Sequence, residues 1–189
     1  SADGTARLWD TSGQLLATLS VTLNGQAKLI YSAVFSPDGA RILTASDDYT
    51  ARLWDTAGKP LATLSGHLSS VRSAVFSPDG TRILTASNDR TVRLWDSAGQ
   101  LLVTFSGHTL PVYSAVFSPD GSRILTASED GTARQYLVSS EDLRRAAACR
   151  VGRELTPEEI DSFQVPRPLA FSFTRRQCPP VYSWESGSR

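Results

Sequence analysis

The apolar and polar positions of the chain follow one pattern that is written several times. Within residues 66–106, the stretches VRSAVFS, RILTAS and TVRLWD are separated by short polar turns, and LLVTFS follows the turn SAGQ. The first stretch stops at PDG, whose Pro fixes φ and whose Gly permits a positive φ. Short stretches with nearly continuous apolar character favour strands covered on both faces. The pattern therefore predicts four antiparallel strands, a to d, in each repeat.

The repeat has a fixed length over most of the chain. SPDG begins at Ser36, Ser77 and Ser118, each 41 residues after the last, whereas Trp9 and Trp54 are 45 residues apart because of an insertion. A lone four-stranded sheet cannot bury both faces, but neighbouring sheets can cover each other. A period of this length predicts an all-β fold of stacked four-stranded blades, a β-propeller.

The period also sets the domain boundaries. We expect a half blade over residues 1–20, full blades over 29–65 and 66–106, a last blade without its own outer strand over 107–138, and a helical then irregular tail over 139–189. Three and a half blades leave apolar faces uncovered. The chain is therefore interpreted as an incomplete ring from a longer protein.

The tail departs from the β pattern. Ser140 can cap a helix over about 141–151, and Thr156 opens a capping box in TPEE, so two short helices are predicted. Cys149 and Cys178 are too few for a zinc site. Two thiols in a reducing cytoplasm and a disulfide between tail segments both stay open.

Composition narrows the classes of partner. Lys plus Arg and Asp plus Glu number 19 each, so no net charge attracts the chain to nucleic acid or to an anionic membrane. The apolar runs are far shorter than the roughly 18 residues of a spanning helix. We therefore expect a cytoplasmic protein with protein partners and with no membrane or nucleic-acid role.

The repeated motifs resemble those of the WD40 repeat family. Gly-His occurs at Gly66 and Gly107, and Trp-Asp ends strand c at Trp9, Trp54 and Trp95. The resemblance extends to about residue 138 and implies a WD40 propeller that is a non-catalytic scaffold or sensor without a cofactor. The tail resembles the segment after WD40 arrays in large bacterial multidomain proteins, notably STAND-type signalling ATPases, and this implies upstream domains in the same chain.

The resemblance also implies a buried hydrogen-bonded tetrad in each blade. Its positions are His67, Thr85, Asp89 and Trp95 in the second full blade, His108, Thr126, Asp130 and Tyr136 in the last blade, and Thr44, Asp48 and Trp54 in the first full blade. The first full blade lacks the His, and we expect water or nothing in its place. Because both histidines recur at one repeat position, they are interpreted as structural rather than catalytic or metal-binding.

Partner contacts in that family concentrate at one end of the propeller, at the start of strand a and just before the Asp of the turn between strands b and c. The corresponding residues are Leu29, Tyr31, Asp47, Ser70, Arg72, Asn88, Pro111, Tyr113 and Glu129. The repeats differ at these positions, whereas SAVFSPDG is identical in all three copies. Tyr and Arg are frequent anchors of interfaces, although drift of exposed positions would also produce the difference.

Two other functions stay open. The repeated Asp residues could form a hydrolase site in the channel, but PDG and the Asp before strand c are typical of turns. The sequence has neither a Gly-rich phosphate loop nor an activated-Ser motif, so we expect no enzyme. The second alternative is a structural half-propeller that associates with another copy.

Overall fold

The structure is a computed structural model that describes residues 3–138. The helices and the cysteines predicted in the tail lie outside the described residues. No helix in the described part is long and apolar enough to cross a membrane.

The described chain is built of short antiparallel strands. Their bounds are β1 Thr5–Trp9, β2 Leu15–Ser20, β3 Thr22–Leu23, β4 Gln26–Ala27, β5 Ile30–Phe35, β6 Arg41–Ser46, β7 Ala51–Asp55, β8 Pro60–Leu64, β9 Val71–Phe76, β10 Arg82–Ser87, β11 Val92–Asp96, β12 Leu101–Phe105, β13 Val112–Phe117, β14 Arg123–Ser128 and β15 Ala133–Leu137. They form two four-stranded sheets (β5-β6-β7-β8 and β9-β10-β11-β12), a three-stranded sheet (β13-β14-β15) and the pairs β1-β2 and β3-β4. The predicted all-β fold of antiparallel blades is confirmed.

The core lies between neighbouring blades. Leu84 and Leu94 of one blade pack with Val112 and Ile124 of the next, and all four side chains are buried. Residues from β6 and β7 pack in the same way with Trp95 and other residues of the following blade. Each blade therefore depends on its neighbours for much of its buried apolar surface, which explains the near-continuous apolar character of its strands.

An arginine at the start of strand b links each blade to the next. Arg41 donates to the Gly80 carbonyl at 3.3 Å and lies 5.4 Å from the centre of the Phe76 ring. Arg82 repeats this link with Gly121 at 3.1 Å and with the ring of Phe117 at 5.5 Å. This polar and cation–π contact therefore recurs at both junctions between the larger sheets.

The insertion after the first half blade forms a small hairpin, β3-β4. Asn24 and Gly25 at its tip have φ values of 53° and 76°, as a two-residue turn between antiparallel strands requires. The sequence pattern predicts no element there, although Asn-Gly is a strong hairpin signal.

Candidate functional site

The second full blade contains a continuous chain of buried side-chain hydrogen bonds. The indole Nε1 of Trp95 donates to Thr85 Oγ1 at 2.9 Å, and Thr85 Oγ1 lies 2.8 Å from His67 Nε2. The other ring nitrogen, His67 Nδ1, lies 2.8 Å from Asp89 Oδ2. Because an indole N–H or an imidazole buried without a partner costs about 1–3 kcal/mol, this chain fixes the geometry of the blade.

The Asp89 carboxylate is fully engaged in the turn between β10 and β11. It accepts from the backbone N–H of Leu68 at 3.0 Å, and from the N–H and hydroxyl of Thr91 at 2.9 and 2.6 Å. Burial alone raises the pKa of Asp89, but the hydrogen bonds from His67 and Thr91 outweigh it and hold the pKa well below its usual range. This carboxylate is a structural anion and has no free oxygen aimed at a substrate.

The directions of the hydrogen bonds in this tetrad favour the neutral form of His67. Trp95 donates to Thr85, so the Thr85 hydroxyl is free to donate to Nε2, and Nδ1–H donates to Asp89. Protonation of Nε2 would direct a second N–H at Thr85 Oγ1. Burial lowers the pKa of His67, against the raising effect of Asp89 and with a small further lowering by Arg93.

We expect the free energy of unfolding to fall as the pH is lowered below about 6.5, the ordinary pKa of His. The pKa of His67 is lower in the folded state, so the unfolded chain binds the proton first and is stabilised on acidification. The slope from this residue approaches about 1.4 kcal/mol per pH unit below that value. Urea denaturation between pH 7.5 and 5 checks this, with His67→Asn as the control. An unchanged slope in His67→Asn would contradict the assignment.

The last blade keeps only part of this network. His108 joins Asp130 and Thr126, both at 2.8 Å. Tyr136 makes no hydrogen bond to Thr126, whose hydroxyl donates instead to the Arg134 carbonyl at 3.2 Å. The predicted place of Tyr136 in the tetrad is therefore corrected: its buried ring packs 5.1 Å from the ring of Phe105, because the phenol does not carry its polar atom where an indole carries its N–H.

The first full blade replaces the missing His with an arginine. Trp54 Nε1 donates to Thr44 Oγ1 at 2.9 Å, as in the next blade. Asp48 Oδ2 accepts from Arg52 Nη2 at 2.7 Å, and the Asp48 side chain is only 2% exposed. Arg52 therefore takes the place of a His as the partner of Asp48. In the half blade, Arg7 Nη2 and Asp3 Oδ2 show the same pairing at 3.1 Å.

The matching arginine of the second full blade, Arg93, has no such partner. His67 already occupies Asp89, and Arg93 Nε is buried without a hydrogen bond. Burial lowers the pKa of Arg93, against the raising effect of Asp89. The Asp at this repeat position is thus paired with an Arg in some blades and with a His in others. The Gly-His motif alone does not show this.

The Asp of each Trp-Asp pair supports the turn between strands c and d. Asp55 Oδ1 accepts from the backbone N–H of Ala57 at 3.0 Å and of Lys59 at 2.8 Å. Asp10 and Asp96 bind their own turns in the same way. The Trp-Asp signature is therefore a structural device throughout the described repeats.

A different set of side chains meets at the end of the blades where strand b ends and strand a begins, here called the upper face. Tyr31, Arg72 and Tyr113 occupy one repeat position in three neighbouring blades. The guanidinium carbon of Arg72 lies 4.2 Å from the ring centre of Tyr31 and 5.3 Å from that of Tyr113. The three side chains form a continuous aromatic–cation–aromatic stack, the Tyr-Arg-Tyr stack.

Carboxylates hold the hydroxyl groups of this stack. Tyr31 Oη donates to Asp47 Oδ1 at 3.0 Å, and Ser70 Oγ donates to the same oxygen at 2.6 Å. The hydrogen bond to Glu129 raises the pKa of the Tyr113 hydroxyl. The upper face thus presents Arg72 between the carboxylates of Asp47 and Glu129, spread over three blades.

The backbone at the start of strand a places these polar side chains. The N–H groups of the residues before the turn Asp donate across the sheet at 2.9 Å in three equivalent bonds: Asp47 to Leu29, Asn88 to Ser70, and Glu129 to Pro111. Ser70 is only 7% exposed and its hydroxyl is used by Asp47. Ser70 therefore positions the carboxylate of Asp47 rather than presenting a free hydroxyl.

Asn88 differs from Asp47 at the next junction. Its Oδ1 is buried and has no hydrogen-bond partner. The Ser70 hydroxyl that serves Asp47 is replaced one repeat later by Pro111, which has no side-chain donor. The side-chain oxygen of Asn88 is therefore an unpaired acceptor among the described residues of the upper face.

Sequence reasoning missed two side chains in the turns of the upper face. Tyr49 and Arg90 both have φ of 72°, in the left-handed region, where the equivalent positions carry Gly4 and Gly131. A side chain in that conformation costs on the order of 1–2 kcal/mol relative to the right-handed one. The detectable signal was a bulky residue at a repeat position that elsewhere is Gly.

The described residues offer no metal site, since no group of three or more His, Cys, Asp or Glu within residues 3–138 is placed to hold an ion. The Asp residues that recur before strand c, Asp48, Asp89 and Asp130, are separated in space. Each accepts a hydrogen bond from the backbone of its own turn.

The chain matches the model of a known protein family. A family model described as WD domain, G-beta repeat, matches residues 13–55, 58–96 and 99–136, which together make up more than half of the chain. Each match runs from the turn before strand d of one blade to strand c of the next, so the sequence repeat is offset from the structural blade. No curated protein matches the chain.

Proposed function

Since the chain belongs to the WD40 family of WD domain, G-beta repeat proteins, we propose that it is a scaffold that binds a partner protein through the upper face, within a larger signalling protein. Repeats of this family commonly act as protein-interaction scaffolds. The resemblance of the tail to segments that follow WD40 arrays in signalling ATPases supports the larger context. The Tyr-Arg-Tyr stack is the observation that carries the proposal.

The stack supplies rigid anchors for a partner. Stacking on two rings restricts the Arg72 side chain, which otherwise loses much rotamer freedom on binding. Tyr and Arg are the residue types that dominate the binding energy of many interfaces. Tyr113 is 44% exposed, so its ring is available to a partner while its hydroxyl is held by Glu129.

The charges of the upper face favour a specific partner. Asp47, Arg72 and Glu129 alternate in sign across three blades, whereas the whole chain carries no net charge. Complementary charges set register and suppress wrong partners more than they add affinity. We therefore propose a peptide segment or protein surface with basic groups on either side of an acidic group.

The hydrogen bonds that already engage the Asp89 carboxylate argue against the alternative of a hydrolase site in the channel. The family is generally a non-catalytic scaffold, and Asp89 is committed to His67, Leu68 and Thr91. A hydrolytic site needs carboxylates that are free to exchange protons with a substrate.

Replacing the stack should abolish partner capture. We expect Tyr31→Ala, Arg72→Ala and Tyr113→Ala together to reduce cross-linking of the partner in the source cell at least tenfold, because anchors of this type are worth more than about 1 kcal/mol each. Quantitative cross-linking mass spectrometry on the full-length protein is the measurement.

A matched control comes from the opposite end of the blades. Lys59→Ala with Gln100→Ala changes exposed side chains in the turns between strands c and d and should leave capture unchanged. Thermal unfolding checks that both variants stay folded. Equal capture by the stack variant and the wild type would rule out the upper face as the binding surface.

A further inference from the structure

We infer that the Asp89 carboxylate has two exchangeable partners, His67 and Arg93, and that Arg93 binds it when the Gly-His segment, residues 66–68, opens locally. Arg93 is then an alternative partner, which allows this segment to leave the blade while the buried carboxylate stays paired. This inference does not depend on the proposed binding function. It rests on the geometry of one repeat position in four blades.

The same carboxylate oxygen binds an Arg in the first full blade and a His in the second. Asp48 Oδ2 accepts from Arg52 Nη2 at 2.7 Å, whereas Asp89 Oδ2 lies 2.8 Å from His67 Nδ1. The other oxygen of each carboxylate accepts from the N–H and the hydroxyl of the Thr two residues later. Because the two turns are held alike, His67 and Arg93 compete for one oxygen.

Arg93 stands at the spacing from which an Arg reaches this oxygen. It follows Asp89 by four residues, as in the two Asp–Arg pairs of the half blade and the first full blade. The turn between strands b and c also has the same backbone, with φ of 72° at both Tyr49 and Arg90. A change of the Arg93 rotamer therefore brings its guanidinium to Asp89 without a change of the backbone.

The guanidinium of Arg93 instead lies against the Gly-His segment. Its Nε is buried without a hydrogen bond, and its Nη1 lies only 2.5 Å from where a Cβ on Gly66 would be. The last blade repeats this arrangement, with Arg134 Nη1 2.8 Å from a Cβ placed on Gly107. In both blades that have a His, the glycine before it thus leaves the space that the arginine occupies while the His binds the carboxylate.

The alternative partner lowers the free-energy cost of local opening. When His67 and the N–H of Leu68 leave Asp89, its Oδ2 loses two hydrogen bonds. The Asp89 side chain is only 6% exposed in the closed blade, and a buried carboxylate without partners is costly. Since a pair with Arg93 replaces the lost bonds, we expect the Gly-His segment to open in a local event rather than only when the blade unfolds.

The Gly-His segment leads directly into the Tyr-Arg-Tyr stack. Leu68 is 83% exposed, and Ser70 donates to the Asp47 carboxylate that also accepts from Tyr31. Opening that extends from His67 to Ser70 therefore removes one of the two side-chain donors that hold Asp47 beside the stack.

The amide of Leu68 reports the opening, because its N–H donates to Asp89 Oδ2 at 3.0 Å in the closed blade. In the full chain, we expect this amide to exchange with solvent faster than the buried strand amide of Leu84, at a rate that low urea concentrations barely change. Arg93→Met keeps the apolar part of the side chain and removes the cation. It should slow the exchange of Leu68 by about fivefold or more, whereas the loss of a merely structural contact would speed it.

The last blade provides the matched control. The N–H of Thr109 donates to Asp130 Oδ2 at 3.1 Å, and Arg134 there takes the place of Arg93. Arg93→Met should leave the exchange of Thr109 unchanged within about twofold, and Arg134→Met should slow Thr109 without slowing Leu68. Arg93→Lys, which keeps a cation, should leave Leu68 within about threefold of the unsubstituted chain. Faster or unchanged exchange of Leu68 in Arg93→Met would overturn the inference.

A double-mutant cycle separates the exchange of partners from simple relief of the buried, unpaired Nε of Arg93. In His67→Ala, Arg93 has free access to Asp89. Adding Arg93→Met to that variant should therefore raise the equilibrium constant of unfolding about ten times more than it does in the unsubstituted chain. Urea denaturation of the four proteins measures this difference. Equal effects of Arg93→Met in the two backgrounds would refute the exchange of partners.

Discussion

Trp95→Ala is expected to lower the free energy of unfolding by about 3–5 kcal/mol. The indole is only 2% exposed and packs in the cluster between two blades, with Leu43, Leu64 and Ile83 among its members. The substitution removes this packing and also the N–H that Thr85 accepts. Since a domain of this size is stable by about 5–15 kcal/mol, the loss takes away a large part of the total.

The chain provides a control for this substitution at the same repeat position. Trp9 is 53% exposed, so Trp9→Ala removes far less buried surface and should cost about 1 kcal/mol or less. Urea denaturation followed by far-UV circular dichroism measures both variants. Similar losses of unfolding free energy for Trp9→Ala and Trp95→Ala would contradict the argument that the indole of Trp95 stabilises the protein through burial between blades.

The fold could be predicted from the sequence because several independent features of the repeat agree. Apolar runs, the PDG turn and the 41-residue spacing all indicate the same four-stranded blade, and the antiparallel sheets have this form. The hairpin at Asn24 and Gly25 was missed because the insertion lies outside the repeat. The partner of Asp48 was missed because the family motif provides a His, whereas here Arg52 reaches the same carboxylate from strand c.

The upper face was only partly accessible from the sequence. Repeat positions identify Tyr31, Arg72 and Tyr113 as equivalent, but equivalence does not show that their side chains touch. The stack depends on the spacing of neighbouring blades, which brings one repeat position of three blades within cation–π distance. For the same reason, the burial of Ser70 and the unpaired oxygen of Asn88 become visible only once adjacent blades are packed together.

Blade stacking can be tested through one leucine of strand b. Leu84 is fully buried against the last blade, and we expect Leu84→Ala to lower the free energy of unfolding by about 2–5 kcal/mol, because it removes buried methyl groups and leaves a cavity. Leu125 lies 41 residues later at the same repeat position and is 51% exposed. Leu125→Ala should cost about 1 kcal/mol or less.

The comparison of the two leucines separates a free face from a covered one. Guanidinium denaturation at several protein concentrations gives both values, and sedimentation gives the mass of the particle. If Leu125→Ala costs as much as Leu84→Ala and its effect grows with protein concentration, a second copy covers the open face, as the self-associating half-propeller predicts. A small and concentration-independent cost means that the last blade ends the stack in solution, and that Gln135 and Leu125 face water there.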